Sequence, residues 1–227
     1  MIQLIIETAT ERGVIALIDQ GQVLFHSELP FGYNNSKYVV PVIAEGLKKC
    51  GLSVEQLTMI AVGIGPGSYT GIRVGVIVAK TLAMARDLPL IGVCSLEGFL
   101  FPQEGLFASV MDAKIGGVYL LSGERTGSHV RYDGKPEICE MQNISERLGV
   151  RGITQLVTPY AQQLRTKFHG VSPENPWEWV EAAPDPNRIA RIAQEKYLKG
   201  EFALDRHLDI LYLRKTQAEI EKEAKRN

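Results

Sequence analysis

The chain is poor in the residues that would indicate disulfides, a zinc site or a membrane span. Its three cysteines, Cys50, Cys94 and Cys139, are scattered and form no Cys-x-x-Cys pair. We therefore expect three small buried apolar side chains and no metal. No apolar run approaches the roughly 18 residues of a membrane span. Glu7 and Glu11 interrupt the apolar N-terminal run before it could form a signal-peptide core. The sequence thus predicts a cytoplasmic protein with no membrane contact.

An excess of basic residues is also lacking. Lys and Arg number 25 against 26 Asp and Glu, which gives a formal net charge of −1. A protein that binds nucleic acid unaided usually carries a clear positive excess. If RNA is involved, another subunit should supply most phosphate contacts. With 227 residues, 45% of them apolar, the chain can bury a core without structural metals or disulfides.

The first half of the sequence predicts a meander followed by alternating helices and strands. The meander consists of three short apolar runs separated by tight, polar connections, at residues 2–7, 14–19 and 22–28. The later elements are a helix at 36–50, a strand at 58–63, a helix at 70–86, a strand at 90–93 and a short helix near 95–100. This β-β-β-α-β-α-β-α order is that of one lobe of the actin/Hsp70/sugar-kinase superfold, with ribonuclease H-like mixed sheets. A Rossmann domain would alternate from its first strand.

The second half predicts a smaller lobe that loosely repeats the first. Pro102–Gly105 is typical of a hinge, so we expect an N-terminal lobe at 1–103 and a C-terminal lobe at 104–227. The elements expected there are a hairpin at 106–112 and 117–122, a strand at 153–157, a helix at 159–168, a proline-rich loop that carries Trp177 and Trp179, and a helix that begins at Asp185-Pro186. From Lys215 onward, mixed charges at helical spacing indicate a solvated helix.

The most informative stretch is the glycine-rich segment 63–71, Gly-Ile-Gly-Pro-Gly-Ser-Tyr-Thr-Gly. No Lys follows these glycines as a P-loop requires, and the loop follows a later strand than a dinucleotide fingerprint would. Two interpretations remain open. The loop is a structural turn, with Ser68 or Thr70 capping the next helix, or it holds an anion or a partner at the helix N-terminus.

The helix after this loop is apolar nearly all round. Small residues recur at every fourth position, at Gly71, Gly75, Ala79 and Ala83. Such a strip lets another backbone approach closely. The helix is either buried under the protein's own neighbouring helix or shared between its own sheet and a partner.

These residues carry a resemblance to a known family. The segment 63–83 resembles the signature of the bacterial TsaB (YeaZ) proteins. Weaker matches occur at 5–10, 61–62, 91–97, 111–119 and 211–214. The resemblance implies a non-catalytic paralogue of TsaD, required for N6-threonylcarbamoyladenosine formation in tRNAs that read codons beginning with A. It implies pairing with a TsaD-like catalytic subunit, which a TsaE-like ATPase joins, and contact with tRNA only through the complex.

The resemblance also suggests two sets of site residues. A partner interface on the helices of the first lobe would include Val39, Val40, Ile43, Arg73, Val76, Ile77 and Lys80. A vestigial nucleotide or anion site would include Glu7, Thr8, Thr10, Gly65, Gly67, Ser68, Thr70 and Asp112. Glu7 departs from the family, which usually has Asp there.

The residue pattern argues against catalysis. The four histidines, His26, His129, His169 and His207, lie far apart, and none has a partner one helical turn away. Only Glu7 and Asp112 are placed to hold Mg²⁺ in a cleft. We therefore expect no catalytic residue, no metal and no cofactor, and a homodimer when the partner is absent. The alternative is an ATP-dependent phosphotransferase or ATPase of the same superfold.

Overall fold

The computed structural model describes residues 1–32, 35–114, 117–172, 176–203 and 207–213. Its first sheet has the strand order β3-β2-β1-β4-β5. The strands are β1 (Ile2–Glu7), β2 (Val14–Asp19), β3 (Gln22–Glu28), β4 (Leu57–Gly63) and β5 (Leu90–Val93). β1 to β3 form the predicted antiparallel meander, and β1, β4 and β5 run parallel.

The second sheet repeats this topology, with the order β10-β9-β6-β7-β8. Its strands are β6 (Gly105–Asp112), β7 (Gly117–Thr126), β8 (His129–Glu140), β9 (Gln155–Thr158) and β10 (Glu178–Glu181). Here too a meander is followed by two strands parallel to its first strand. This duplicated arrangement confirms the predicted two-lobed α/β fold of the actin/Hsp70/sugar-kinase type.

In the described ranges, five α-helices cover the sheets. They are α1 (Val39–Lys49), α2 (Tyr69–Arg86), α3 (Ile144–Val150), α4 (Ala161–His169) and α5 (Pro186–Leu198). Because side chains alternate along a strand, Leu4 and Ile6 of β1 pack with α1 and α2, whereas Ile5 packs with α5 on the opposite face. Burial of both faces explains why β1 is apolar without alternation. None of these helices, within the part of the chain described, is long and apolar enough to cross a membrane.

An apolar cluster joins the segment that follows β5 to the second sheet. Phe99 and Phe101, which follow a short 3-10 helix at Ser95–Gly98, pack with Phe107 and Met111 of β6. Each fully buried phenylalanine stabilises the fold by about 1.5–3 kcal/mol, so this cluster holds the segment that leads from β5 to β6 against the second sheet. α5 follows residue 104 in sequence but packs on the first sheet. The division of the chain into lobes at residues 103 and 104 stays a prediction.

Several local predictions are confirmed. Ser68 is the N-cap of α2, where its side chain accepts a hydrogen bond from Gly71 N–H. Asp185 caps α5, with Pro186 at its first position. Gly51 follows α1 with φ +64°, a conformation that favours glycine. Cys94 and Cys139 are buried, and burial raises the pKa of the Cys94 thiol to about 12.

Other local predictions are wrong. α1 begins at Val39, because residues 35–37 form a separate 3-10 turn. Cys50 is only partly buried. β8, α3 and β10 were not predicted, and Trp179, expected in a loop, lies in β10. The predicted helix from Lys215 lies outside the described residues.

Candidate functional site

The glycine-rich loop connects β4 to α2 directly above the end of β1. Thr8 Oγ1 donates a hydrogen bond to the Gly71 carbonyl oxygen over 2.7 Å. A Cβ atom at Gly71 would collide with the Thr8 carbonyl, and one at Gly75 with Thr8 Oγ1. The strip of small residues on α2 is therefore buried against the protein's own β1. The backbone that approaches this strip closely is that of the protein's own Thr8. Sharing of the helix between its own sheet and a partner, one of the two interpretations of the sequence, stays a prediction for the exposed side of α2.

Two backbone donors of the loop, those of Gly65 and Ser68, are engaged within the protein. Gly65 N–H donates to Ser95 Oγ over 3.2 Å, and Ser68 N–H donates to the Ala9 carbonyl over 2.7 Å. Gly65 has φ +99°, the Gly65–Pro66 peptide is cis, and Gly67 has φ +151° against Ala9. These contacts favour the interpretation of the loop as a structural turn that packs the start of α2 against the end of β1. Among the other predicted loop residues, Thr70 is exposed on the first turn of α2.

Glu7 lies beneath this loop and does not face the solvent. It is 1% exposed, and its Oε1 accepts a hydrogen bond from Ala9 N–H over 2.6 Å. A Cβ at Gly63 would collide with the carboxylate, so a larger residue there would force the Glu7 side chain to shift. Burial raises the pKa of Glu7 to about 7, against the smaller opposing effects of hydrogen bonds from Ala9, Ser95 and Thr8. Thr10, also buried, accepts a hydrogen bond from Arg12 N–H in the turn after β1.

A cleft of about 320 Å³ separates the loop from the β6–β7 hairpin. It is lined by Ala9, Glu11, Gly67, Ser68, Tyr69, Met111, Asp112, Ala113, Lys114 and Tyr119. The cleft therefore contains two of the predicted anion-loop residues and Asp112, whereas Glu7, Thr8 and Thr10 lie behind its wall.

Asp112 is held by two lysines. Its Oδ1 lies 2.7 Å from Lys167 Nζ of α4, and its Oδ2 lies 3.7 Å from Lys114 Nζ. Lys114 also contacts Glu11 of the first lobe at 3.3 Å, so an ion-pair cluster crosses the cleft. Lysines that neutralise a carboxylate compete with Mg²⁺ for its oxygens. Within the described residues there is no group of three or more His, Cys, Asp or Glu side chains that could hold a metal ion.

A second concave surface lies on the outer side of α1 and α2. This apolar groove has a volume of about 440 Å³. It is lined by Val40, Ile43, Ala44, Leu47, Val54, Ile77, Val78, Thr81 and Leu82. Val40 is 56% exposed and Ile77 63% exposed. Large aliphatic side chains this exposed and this close together are uncommon on a monomer and mark interaction surfaces.

The predicted partner residues fall into two groups. Val40, Ile77 and Arg73 are exposed, and Lys80 is partly exposed. Val39 and Val76 are buried in the core beneath them, and Ile43 is 5% exposed at the floor of the groove. The core residues therefore support the surface from below, and the interface itself stays a prediction.

Sequence reasoning missed three residues at or beside these sites, and one exposed apolar residue elsewhere on α2. Tyr69 and Lys167 lie at the cleft, Tyr212 lies against the first turn of α2, and Met84 is 58% exposed near the other end of α2. The spacing Tyr69, Arg73, Ile77 could have identified Tyr69, because residues four apart share a helix face. No sequence signal links Lys167 to Asp112, since only the packing of α4 on the second sheet brings them together.

Comparisons with known proteins by sequence and by structure point to one family. The model of the family TsaD, tRNA N6-adenosine threonylcarbamoyltransferase, matches residues 33–151. The tRNA threonylcarbamoyladenosine biosynthesis protein TsaB of Bacillus subtilis is 37% identical over 119 residues, which are 51% of this chain and 52% of the relative. The matched segment thus spans about half the length of that relative.

Two further comparisons cover nearly the whole chain. TsaB of Haemophilus influenzae is 30% identical over 222 residues, covering 93% of this chain and 92% of the relative. The solved structure of YeaZ from Pseudomonas aeruginosa superposes with a TM-score of 0.74 at 18% identity, covering 93% of this chain and 99% of that one, which supports the fold. The chain therefore belongs to the TsaB (YeaZ) family of tRNA threonylcarbamoyladenosine biosynthesis proteins, which is related to the TsaD transferases.

Proposed function

We propose that this protein is a non-catalytic subunit required for N6-threonylcarbamoyladenosine formation in tRNAs that read codons beginning with A. In this proposal it pairs with a TsaD-like threonylcarbamoyltransferase through the apolar groove of α1 and α2. The observation that carries the proposal is the pair of exposed aliphatic residues Val40 and Ile77 beside that groove. Covering such a surface removes apolar area from water, which favours association.

The absence of catalysis is part of the proposal. Three features support it: Asp112 is neutralised by lysines, Glu7 is buried behind the cleft wall, and the donors of Gly65 and Ser68 are engaged internally. A phosphoryl-transfer site needs accessible carboxylates for Mg²⁺ and donors directed at the phosphates. The described cleft residues do not meet that requirement.

The wider assembly follows from the same interpretation. A TsaE-like ATPase would join the pair, and tRNA would be contacted indirectly, in keeping with the net charge of −1. Without its partner, the protein would form a homodimer by covering the same groove with a second copy. The site of action would be the cytoplasm.

The direct test is binding to the TsaD-like protein of the same organism, measured by calorimetry and by co-purification. Ile77→Glu places a charge in the apolar groove and should lower affinity by about a hundredfold or more. Val150→Glu is the matched control, because Val150 is 80% exposed on α3 in the other lobe. Equal effects of the two variants, or no effect of Ile77→Glu, would refute the assignment of the groove.

Depletion of the protein tests the biological role. The level of threonylcarbamoyladenosine in bulk tRNA should fall, and the wild-type chain should restore it more fully than Ile77→Glu. An unchanged level would contradict the proposed function. The alternative, an ATP-dependent phosphotransferase or ATPase, predicts tight Mg-ATP binding that Glu7→Gln weakens.

A further inference from the structure

Two side-chain contacts join segments beside the first sheet to segments beside the second. Lys114 Nζ, in the segment after β6, lies 3.3 Å from Glu11 Oε1, in the turn between β1 and β2. The Phe31 ring, after β3, meets the Tyr160 ring, just before α4, edge to face with centroids 5.4 Å apart. Phe31 is 62% exposed, so core packing does not explain a large aromatic side chain at this position.

The two residues beside the first sheet belong to one structural unit. Gly32 N–H donates to the Glu11 carbonyl over 2.9 Å, and Leu29 N–H donates to the Gly13 carbonyl over 2.7 Å. These hydrogen bonds fasten the segment that carries Phe31 to the turn that carries Glu11. The Glu11 side chain is 14% exposed, so its carboxylate is held in the cleft wall. Phe31 and Glu11 therefore move together.

The two residues beside the second sheet are connected through Asp112. Its Oδ1 accepts one hydrogen bond from Lys114 N–H over 2.8 Å and another from Lys167 Nζ of α4 over 2.7 Å. Tyr160 directly precedes α4. Lys114 has φ +68°, a left-handed conformation that is strained for a residue other than glycine. Asp112 thus fixes Lys114 in an unfavourable conformation and ties it to the helix that follows Tyr160.

Within the described residues, the chain passes between the two sheets at two places that lie side by side. Residues 94–104 lead from β5 to β6, and residues 182–185 lead from β10 to α5, which packs on the first sheet. Asp185 N–H donates to the Gly98 carbonyl over 2.8 Å, which joins the two connections. Neighbouring connections of this kind are typical of a hinge between two bodies.

From these observations we infer that Glu11, Phe31, Lys114 and Tyr160 form a latch that holds the two sheets closed over the cleft. Opening about the hinge separates both contacts at once, because each side of the latch is one unit. The strained backbone of Lys114 fits this role, since such a conformation persists only where the surrounding structure maintains it. The inference concerns the cleft and goes beyond the proposed function, because no part of it depends on the apolar groove.

The test measures the distance across the cleft in the full-length protein. Spin labels at Lys37→Cys and Arg165→Cys, both at exposed positions, report that distance by pulsed electron paramagnetic resonance in a Cys50→Ser background. The ion pair and the ring contact should each favour the closed arrangement by about two- to tenfold. Combining Glu11→Gln with Phe31→Ala should therefore raise the ratio of long to short distances by about tenfold.

Two control variants test whether the effect is specific to the latch. Glu124→Gln removes an ion pair of similar length, Glu124–Arg131 at 3.1 Å, but both residues belong to the second sheet. The distances should therefore not change. Tyr160→Phe keeps the ring and should also leave them unchanged. Raising the salt concentration should increase the long distances in the wild type more than in Glu11→Gln, because salt screens the ion pair.

Lys114→Gly separates opening of the cleft from loss of fold. It removes the cation of the latch and also relieves the left-handed backbone, which glycine adopts freely. The long distances should increase while the midpoint of thermal unfolding does not fall. A lower midpoint together with longer distances would indicate local unfolding and would overturn the inference.

Three other results would also overturn the inference. The first is an unchanged distance distribution when Glu11→Gln and Phe31→Ala are combined. The second is an equal change in Glu124→Gln, which would make the effect one of surface charge in general. The third is a wild-type protein in which long distances already predominate, because the latch would then not hold the sheets closed.

Discussion

The buried carboxyl group of Glu7 should make the stability of the protein depend on pH. Its pKa is raised from 4.5 to about 7 in the folded state, because burial disfavours the charged form. Between pH 4.5 and 7 the folded protein therefore retains a proton that the unfolded chain has lost. Stability from this group is fully present below pH 4.5 and is lost as the pH rises to about 7.

The magnitude follows from the two pKa values. At about 1.4 kcal/mol for each tenfold change, a rise from 4.5 to about 7 corresponds to about 3 kcal/mol. This is a large part of the roughly 5–15 kcal/mol by which domains are stable. Glu7→Gln removes the ionisation and keeps an oxygen that can accept the hydrogen bond from Ala9 N–H.

The assay is urea unfolding of the wild type and of Glu7→Gln from pH 4.5 to 8.5. The stability of Glu7→Gln relative to the wild type should increase by about 3 kcal/mol over this range. Glu201→Gln is the control, because Glu201 is exposed, and it should follow the wild-type curve. Parallel curves for Glu7→Gln and the wild type would refute the argument that burial dominates at this site.

Two further predictions concern packing and capping. Gly71→Ala should destabilise the protein by about 2 kcal/mol or more in urea unfolding, since the added Cβ would meet the Thr8 carbonyl. The control Gly149→Ala, in α3 with open space around it, should stabilise the protein by about 0.5–1 kcal/mol. Equal effects of the two substitutions would contradict the close approach of α2 to β1. Asp185→Ala should cost about 1 kcal/mol, because Asn187 N–H loses its acceptor at the start of α5, and an unchanged midpoint of thermal unfolding would argue against the cap.

Local chemistry accounts for the parts of the fold that were predicted correctly. Each of these features depends on residues close together in sequence: the N-terminal meander, the helix cap at Ser68, the helix end at Gly51 and the helix start at Asp185-Pro186. The predicted order of strands and helices along the first lobe followed from these elements. The elements that were missed have weak local signals. For example, β8 contains Gly134 and Pro136, which are unfavourable in strands, and its strand conformation depends on pairing with β7.

The sequence by itself determined the family, the two-lobed fold and the apolar character of α2. Only the tertiary structure decided which side of α2 meets β1, that Glu7 lies behind the cleft wall, and that Lys167 and Lys114 neutralise Asp112. The physical reason is that burial and ion pairing depend on distances between residues far apart in the chain. Tyr212 reaches Arg73 across 139 positions, a contact that no periodicity or spacing in the sequence encodes.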